Sequence, residues 1–129
     1  MKQAISTTAS PSPAGPYSQG LVTDTLVFVA GQGPLDPATG RVPEGIAAQT
    51  HQVLRNIGGI LEAGGATMAD VVKVTVHLAD LTDFAAFNEV YREYFPAPYP
   101  VRTTVGSQLP GILVEIDAIA QRPAPAERA

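Results

Sequence analysis

Cysteine is absent from all 129 residues, which excludes disulfides, thiolate nucleophiles and cysteine-ligated zinc together. The histidines do not supply a metal site either. His51 and His77 each lack a second histidine or carboxylate at ligand spacing, and ordinary structural roles are expected of both. Positive charge is scarce: 8 Lys and Arg stand against 12 Asp and Glu, a net charge of −4 with no basic block. That argues against electrostatic binding of nucleic acid, which needs several phosphate contacts. No apolar run approaches the roughly 20 residues of a membrane helix, and MKQAISTTAS at the start has no apolar signal core. A cytoplasmic protein is expected. Gly31-Gln32-Gly33 lacks the third glycine and the following helix of a dinucleotide site. The hydroxyls of Thr103, Thr104 and Ser107 have no base partner at a recognisable spacing, so a Ser/His/Asp hydrolase is not expected.

At 45% hydrophobic residues the chain can form one domain that buries roughly two-thirds of its unfolded surface. That domain is expected over residues 1–120, with a flexible C-terminal tail over 121–129 (QRPAPAERA). Residues 2–7 suit a short edge strand, and Ser10–Gly20 is a loop of Pro, Ser and Gly. In it Tyr17 follows prolines and a glycine, a stiff approach that could hold its hydroxyl in place. Leu21–Gln32 reads as one buried strand, apolar on both faces, with Val27 and Val29 opposite Leu26 and Phe28. Gly31 in that run would admit a ligand or another backbone. Pro34–Gly40 is turn chemistry, leading to a short returning strand at Arg41-Val42.

A helix is predicted over Gly45–Ala63, with Ile46, Thr50, Val53, Leu54, Ile57, Ile60 and Leu61 as its apolar stripe. Gly58-Gly59 costs about 1 kcal/mol each against alanine, which points to close packing there. Gly64-Gly65 stops the helix, and Thr67–Asp70 fits a capping box. Val71–Ala79 is a strand with Val72, Val74, Val76 and Leu78 on one face and Val71, Lys73, Thr75 and His77 on the other. A second helix over Asp83–Phe95 carries Phe84, Phe87, Tyr91 and Tyr94 or Phe95 as its stripe.

Two further apolar runs, Val101–Val105 and Ile112–Ala120, are joined by a Gly/Pro loop and read as strands in or near a hairpin. Each contains a charge: Arg102 in one, Glu115 in the other. A guanidinium is a planar fork for a carboxylate, and a strand-borne acid can position a water. The plainer alternative is a cross-strand ion pair on a solvated face. Register decides, since a one-residue slip sends the two to opposite faces.

The order β-β-α-β-α-β-β implies an α+β two-layer sandwich, two helices on one face of a sheet. The other face would mix Val27, Val29, Leu113 and Ile119 with Lys73, His77, Glu115 and Asp117, an assignment any β-bulge would swap. Such a face suits burial between subunits.

The segments AGPYSQG (14–20), VFVAGQGPLDPATG (27–40), QTHQVLRNIGGILEAGGATMADVVKVTVHLADLTDFAAFNEVY (49–91), PVRTTV (100–105) and VEIDAIA (114–120) together resemble the RidA/YjgF family. These are reactive intermediate/imine deaminases, also called L-PSP endoribonucleases. The resemblance implies a chorismate-mutase-like fold with a mixed sheet, assembled as a homotrimer with a central barrel and ligand clefts between subunits. It implies hydrolysis, without any cofactor or metal, of 2-imino and enamine acids such as 2-aminoacrylate to 2-keto acids and ammonia. By matching position, Arg102 resembles the arginine that grips the substrate carboxylate, Glu115 the acid that holds the attacking water, and Tyr17 the pocket tyrosine. Gly31 and Thr104 match positions whose backbone contacts ligand, and Asn88 matches the asparagine of FNEVY. Two positions depart from the pattern. Ala30 stands where deaminating relatives usually carry serine, and Gly33 replaces a β-branched residue, which implies a more open pocket. The missing hydroxyl leaves as alternative a non-catalytic keto-acid-binding or regulatory trimer; the older family name alone suggests a ribonuclease, against which the acidic balance and lack of a basic stripe argue.

Overall fold

Alternation in the apolar runs builds the sheet, and helical spacing covers one side of it. The computed structural model describes residues 1–124. Its strands are β1 (Gln3–Ile5), β2 (Gly20–Val22), β3 (Leu26–Gln32), β4 (Val71–Leu78), β5 (Val101–Gly106) and β6 (Val114–Gln121), with helices α1 (Ile46–Ala63) and α2 (Phe84–Tyr91). The six strands lie in the order β1-β2-β3-β6-β4-β5. All neighbours are antiparallel except β4 and β5, which run parallel. Parallel strands need a crossover, and α2 supplies it. Both helices pack on one face, so the architecture is the expected α+β sandwich with a mixed sheet.

The core lies between that face and the helices. Val27, Val29, Val74, Val76, Leu78, Val114 and Ile116 meet Val53, Leu54, Ile57, Ile60 and Leu61 of α1 and Phe87 of α2, all buried. The α1 stripe is as predicted, although Ile46 is only partly buried. Gly59 earns its place: a Cβ there would lie 2.6 Å from the Ser10 hydroxyl. Gly58 has only the Met68 sulfur within reach, at 3.9 Å, so close packing does not explain it. The Thr67–Asp70 capping box forms, with the Asp70 carboxylate accepting the Thr67 N–H at 2.8 Å.

The sheet departs from expectation in five places. The last two strands are not a hairpin. Alternate residues of β6 are all buried, from Val114 to Ala120, which suits a central strand, and β6 inserts between β3 and β4 while β5 takes the edge. Leu21–Gln32 is two strands, because the Thr23 hydroxyl accepts the Leu26 N–H and closes a turn. Arg41-Val42 forms no strand; Arg41 instead accepts the Asp36 N–H and closes a loop. A bulge between Val71 and Lys73 turns Val71 into the core and Val72 out, 45% exposed. In β3, Val27 and Val29 face the helices, leaving Leu26, Phe28 and Ala30 on the open face beside Ile119. That face is mixed as expected, with partly different apolar members. The second helix is shorter than predicted: α2 starts after a 3-10 turn at Leu81–Asp83 and ends at Tyr91.

Of the expected tail, Gln121 ends β6 opposite Leu26, and the Arg122 N–H donates to the Thr25 carbonyl at 2.8 Å. The part over 125–129 lies outside the described residues.

Candidate functional site

Register fixes which way each charged strand residue points. Arg102 pairs with Val74, so it shares the helix-facing side with a fully buried valine. Being on an edge strand, it escapes the core beneath α2. There its guanidinium carbon lies 5.6 Å from the Phe84 ring centroid, 5.5 Å from that of Phe87 and 4.7 Å from that of Tyr91. The three rings are successive members of one helical stripe. Arg102 lines a cavity of about 460 Å³ with Asn88, Tyr91, Arg92, Tyr99 and Pro100. Among the described residues it makes no ion pair; the ion pair in its neighbourhood is the exposed Arg92–Glu89 contact at 3.9 Å. Burial pushes the Tyr91 phenol above its ordinary pKa, offset in part by the Arg102 charge and then by hydrogen bonding with Arg102. The Tyr91 oxygen is thus buried beside Arg102 without a close hydrogen bond, and the Thr104 hydroxyl, two residues beyond Arg102, is buried without a hydrogen-bond partner among the described residues.

Glu115 pairs with His77 and so stands on the opposite, open face. A second bulge, between Val29 and Gln32, brings Gly31 against it. A Cβ on Gly31 would lie 2.8 Å from Glu115 Oε2 and 3.1 Å from its carboxyl carbon. The glycine is thus required by the acid. Ala30 and Tyr17 share a smaller cavity of about 270 Å³ with Leu21 and Phe28. The Tyr17 hydroxyl accepts the Ala14 N–H at 3.0 Å, and the Ala30 N–H donates to the Gln19 carbonyl at 2.9 Å, tying the loop to β3.

The seven residues singled out from sequence therefore fall into two groups. Arg102, Asn88 and Thr104 gather at β5 and α2, on the helix side. Glu115, Gly31, Ala30 and Tyr17 gather around β3 and β6. Strand β4 separates the two, which excludes the cross-strand Arg102–Glu115 ion pair. At Gly33, Ile112 Cδ1 sits 3.2 Å from where a Cβ would be, so a β-branched residue there would press on Ile112.

Several positioning residues escaped the sequence reading. Asn56, fully buried, donates to the carbonyls of Gly33 and Leu35 at 3.0 and 2.9 Å and accepts from Gln52. Gln49 accepts the Leu113 N–H at 2.8 Å, just before β6. Gln19 accepts the Thr7 N–H and donates to the Pro11 carbonyl, both at 2.7 Å. The signal available was polar residues on the buried side of α1. His51 bonds the Tyr94 hydroxyl at 2.7 Å, the structural role expected. His77 bonds the Ser107 hydroxyl, also at 2.7 Å, a pairing across 30 residues that spacing did not reveal. No acid bonds either histidine among the described residues, so no relay is completed. No group of three or more His, Asp or Glu able to hold a metal occurs among the described residues, and no helix there is long and apolar enough to cross a membrane.

An α+β domain with a caged arginine beside one cleft and a glycine-backed carboxylate beside another has close relatives. The family described as Endoribonuclease L-PSP matches residues 7–122, and the chain belongs to this family, the RidA/YjgF family. A RutC family protein of Pyrococcus horikoshii is 51% identical over 125 residues, 95% of this chain and 99% of its own. A Bos taurus protein named 2-iminobutanoate/2-iminopropanoate deaminase is 44% identical, covering 93% of this chain and 90% of its own. Among solved structures, E. coli TdcF with bound serine superposes with a TM-score of 0.89 at 39% identity, over 94% of this chain and 99% of its own.

Proposed function

We propose that this chain hydrolyses 2-imino acids and their enamine tautomers, of the 2-aminoacrylate type, to 2-keto acids and ammonia, as a cofactor-free homotrimer in the cytoplasm. The observation that carries the reading is Arg102: a guanidinium lining a cleft, with ring faces around it and no carboxylate paired to it among the described residues. Such a cation is a receptor for a small carboxylate. Relatives named as 2-iminobutanoate/2-iminopropanoate deaminases and a neighbour holding serine, an amino acid with a carboxylate, support the same ligand class.

The chemistry needs little more than positioning. Arg102 binds the substrate carboxylate and presents C2. The Glu115 carboxylate takes a proton from a water as its oxygen attacks C2, and that proton passes to the nitrogen. The resulting carbinolamine collapses: the Glu115 carboxylate moves its hydroxyl proton to the amine, the C–O π bond forms as the C–N bond breaks, and ammonia departs from the keto acid. Asn88 beside Arg102, and Tyr17, Ala30, Gly31 and Thr104, wall the substrate in.

Arg102 and Glu115 leave opposite faces of one sheet, so a single chain does not offer both to one substrate. We place each active cleft between copies, with Arg102 from one and Glu115 from the next. The half-apolar open face is the surface such copies would cover.

The test is timed keto-acid release from a threonine or serine dehydratase, with and without this protein. Wild type should accelerate release, and Arg102→Ala should lose roughly 10–100-fold through the missing charge-assisted hydrogen bonds. Mixing Arg102→Ala with Glu115→Ala chains should restore up to about a quarter of the sites if copies share them, and none if they do not. Keto-acid binding without acceleration would instead favour a regulatory trimer, the reading that Ala30 motivates. Degradation of RNA by the purified protein would favour the nuclease.

A further inference from the structure

Arg102 occupies a place made for an apolar side chain, level with Val74 in the core-facing register. A charge there needs compensation. The usual compensation is a carboxylate, but a carboxylate would occupy the planar donor fork. Here the neighbours are rings. Phe84, Phe87 and Tyr91 follow at the spacing that puts three side chains on one helix face, all within 5.6 Å of the guanidinium carbon. Ring faces attract the cation while leaving its five N–H donors, which lie in the guanidinium plane, free to bond elsewhere. Phe87 and Tyr91 are buried and therefore fixed, whereas Phe84 is 43% exposed at the rim.

We propose that Phe84, Phe87 and Tyr91 are positioning residues: an aromatic cage that holds Arg102 oriented without a carboxylate partner among the described residues, so that its fork is kept for the ligand carboxylate. The proposal rests on the reading of Arg102 as the carboxylate receptor. Tyr91 is the principal member, being nearest at 4.7 Å. Its ring is assigned this role; the phenol oxygen also lies beside Arg102, and Tyr91→Phe separates the two contributions.

Two measurements test it on the full-length protein. The first needs no ligand: the side-chain Nε–Hε resonance of Arg102 in a ¹H–¹⁵N spectrum, assigned by its loss in Arg102→Ala. Ring currents displace this signal in wild type. Tyr91→Leu should return it toward its ordinary position and Tyr91→Phe should keep it displaced. The second is calorimetric binding of 2-ketobutyrate and of its neutral amide. Tyr91→Leu should weaken the keto acid roughly tenfold and leave the amide unchanged, with Tyr91→Phe restoring affinity. Phe84→Leu, at the exposed rim, should show a smaller effect in the same sense and serves if Tyr91→Leu fails to fold. An unmoved resonance in the leucine variants, or equal losses for keto acid and amide, would overturn the cage. If wild type binds no keto acid but the resonance behaves as stated, the cage stands and the functional reading falls.

Discussion

Gly31→Ala separates catalysis from stability in one substitution. The new Cβ would lie 2.8 Å from Glu115 Oε2, 3.1 Å from its carboxyl carbon and 3.4 Å from Cγ. Ordinary carbon–oxygen contacts begin near about 3.3 Å, so the carboxylate must move by roughly 0.5–1 Å. The move is cheap in stability, because the obstructing atoms are the free end of a flexible side chain. Loss of glycine's unfolded-state entropy also favours the folded form by about 0.4–1 kcal/mol. The Tm should therefore stay within a few degrees, roughly what 1 kcal/mol is worth in a domain this size. Catalysis is less forgiving. A misplacement approaching 1 Å costs up to about 100-fold, so kcat in the coupled assay should fall about 10–100-fold. KM should change less than kcat, because the substrate carboxylate is held by Arg102 of the neighbouring copy, which the new methyl does not displace. Gly64→Ala is the control. Its Cβ would meet Ile5 Cδ1 at 2.7 Å and fully buried Val27 at 3.0 Å, which should cost about 1–3 kcal/mol by overpacking without touching kcat. A Gly31→Ala enzyme with undiminished kcat would refute the role given to Glu115, and one that fails to fold would refute the claim that the acid yields.

Asn56→Ala leaves the Gly33 and Leu35 carbonyls and Gln52 without their partner and should cost roughly 2–4 kcal/mol, read as a lower urea midpoint with unchanged m. Gln19→Ala frees the Thr7 N–H and the Pro11 carbonyl; faster proteolysis within residues 7–18, with the rest of the chain resistant, is expected. Asp80 is held below its ordinary value of 3.8, chiefly by the Thr82 hydroxyl and then by the Thr82 N–H. A depressed carboxylate stabilises the fold above its unfolded pKa and stops doing so as pH falls through the folded value. Asp80→Ala should therefore melt below wild type at neutral pH, and the gap should close as pH drops below 3.8. A gap that widens in acid would contradict this cap.

Legibility in the sequence followed how local each constraint is. The α1 stripe and the glycine stop need only one helix to be understood, and both form as read. The β5–β6 hairpin was misread because a Gly/Pro loop serves equally for a tight hairpin and for a chain passing over a neighbouring strand. What settles the matter is non-local: β6 is apolar enough to demand a central position, and α2 provides the crossover that makes β5 parallel to β4. The bulges at Val71–Lys73 and Val29–Gln32 shift side chains by one place, the second marked only by Gly31 and the first by nothing in the sequence. Of the candidate residues, the charges on the two strands and the close approach at Gly31 were readable, whereas the cavity that Asn88 shares with Arg102 was not. The arginine's rings were not readable, since Tyr91 had the look of an ordinary core residue and meets Arg102 only once α2 lies over β5.

The two groups of residues also explain each other. A guanidinium and a carboxylate placed side by side in one chain would pair, and a bidentate pair fills the fork that a substrate carboxylate needs. Here Arg102 is surrounded by rings, and Glu115 lies against a bare backbone on the other face, with β4 between them. Neither makes an ion pair among the described residues. On the proposed assembly they meet only across a cleft wide enough for a small acid, so the substrate itself separates them: its carboxylate takes the arginine, and its C2 and the water take the glutamate. Moving the acid to the arginine's own side of the sheet would be expected to stabilise the single chain and abolish its chemistry, because the partner that Arg102 lacks would then always be present.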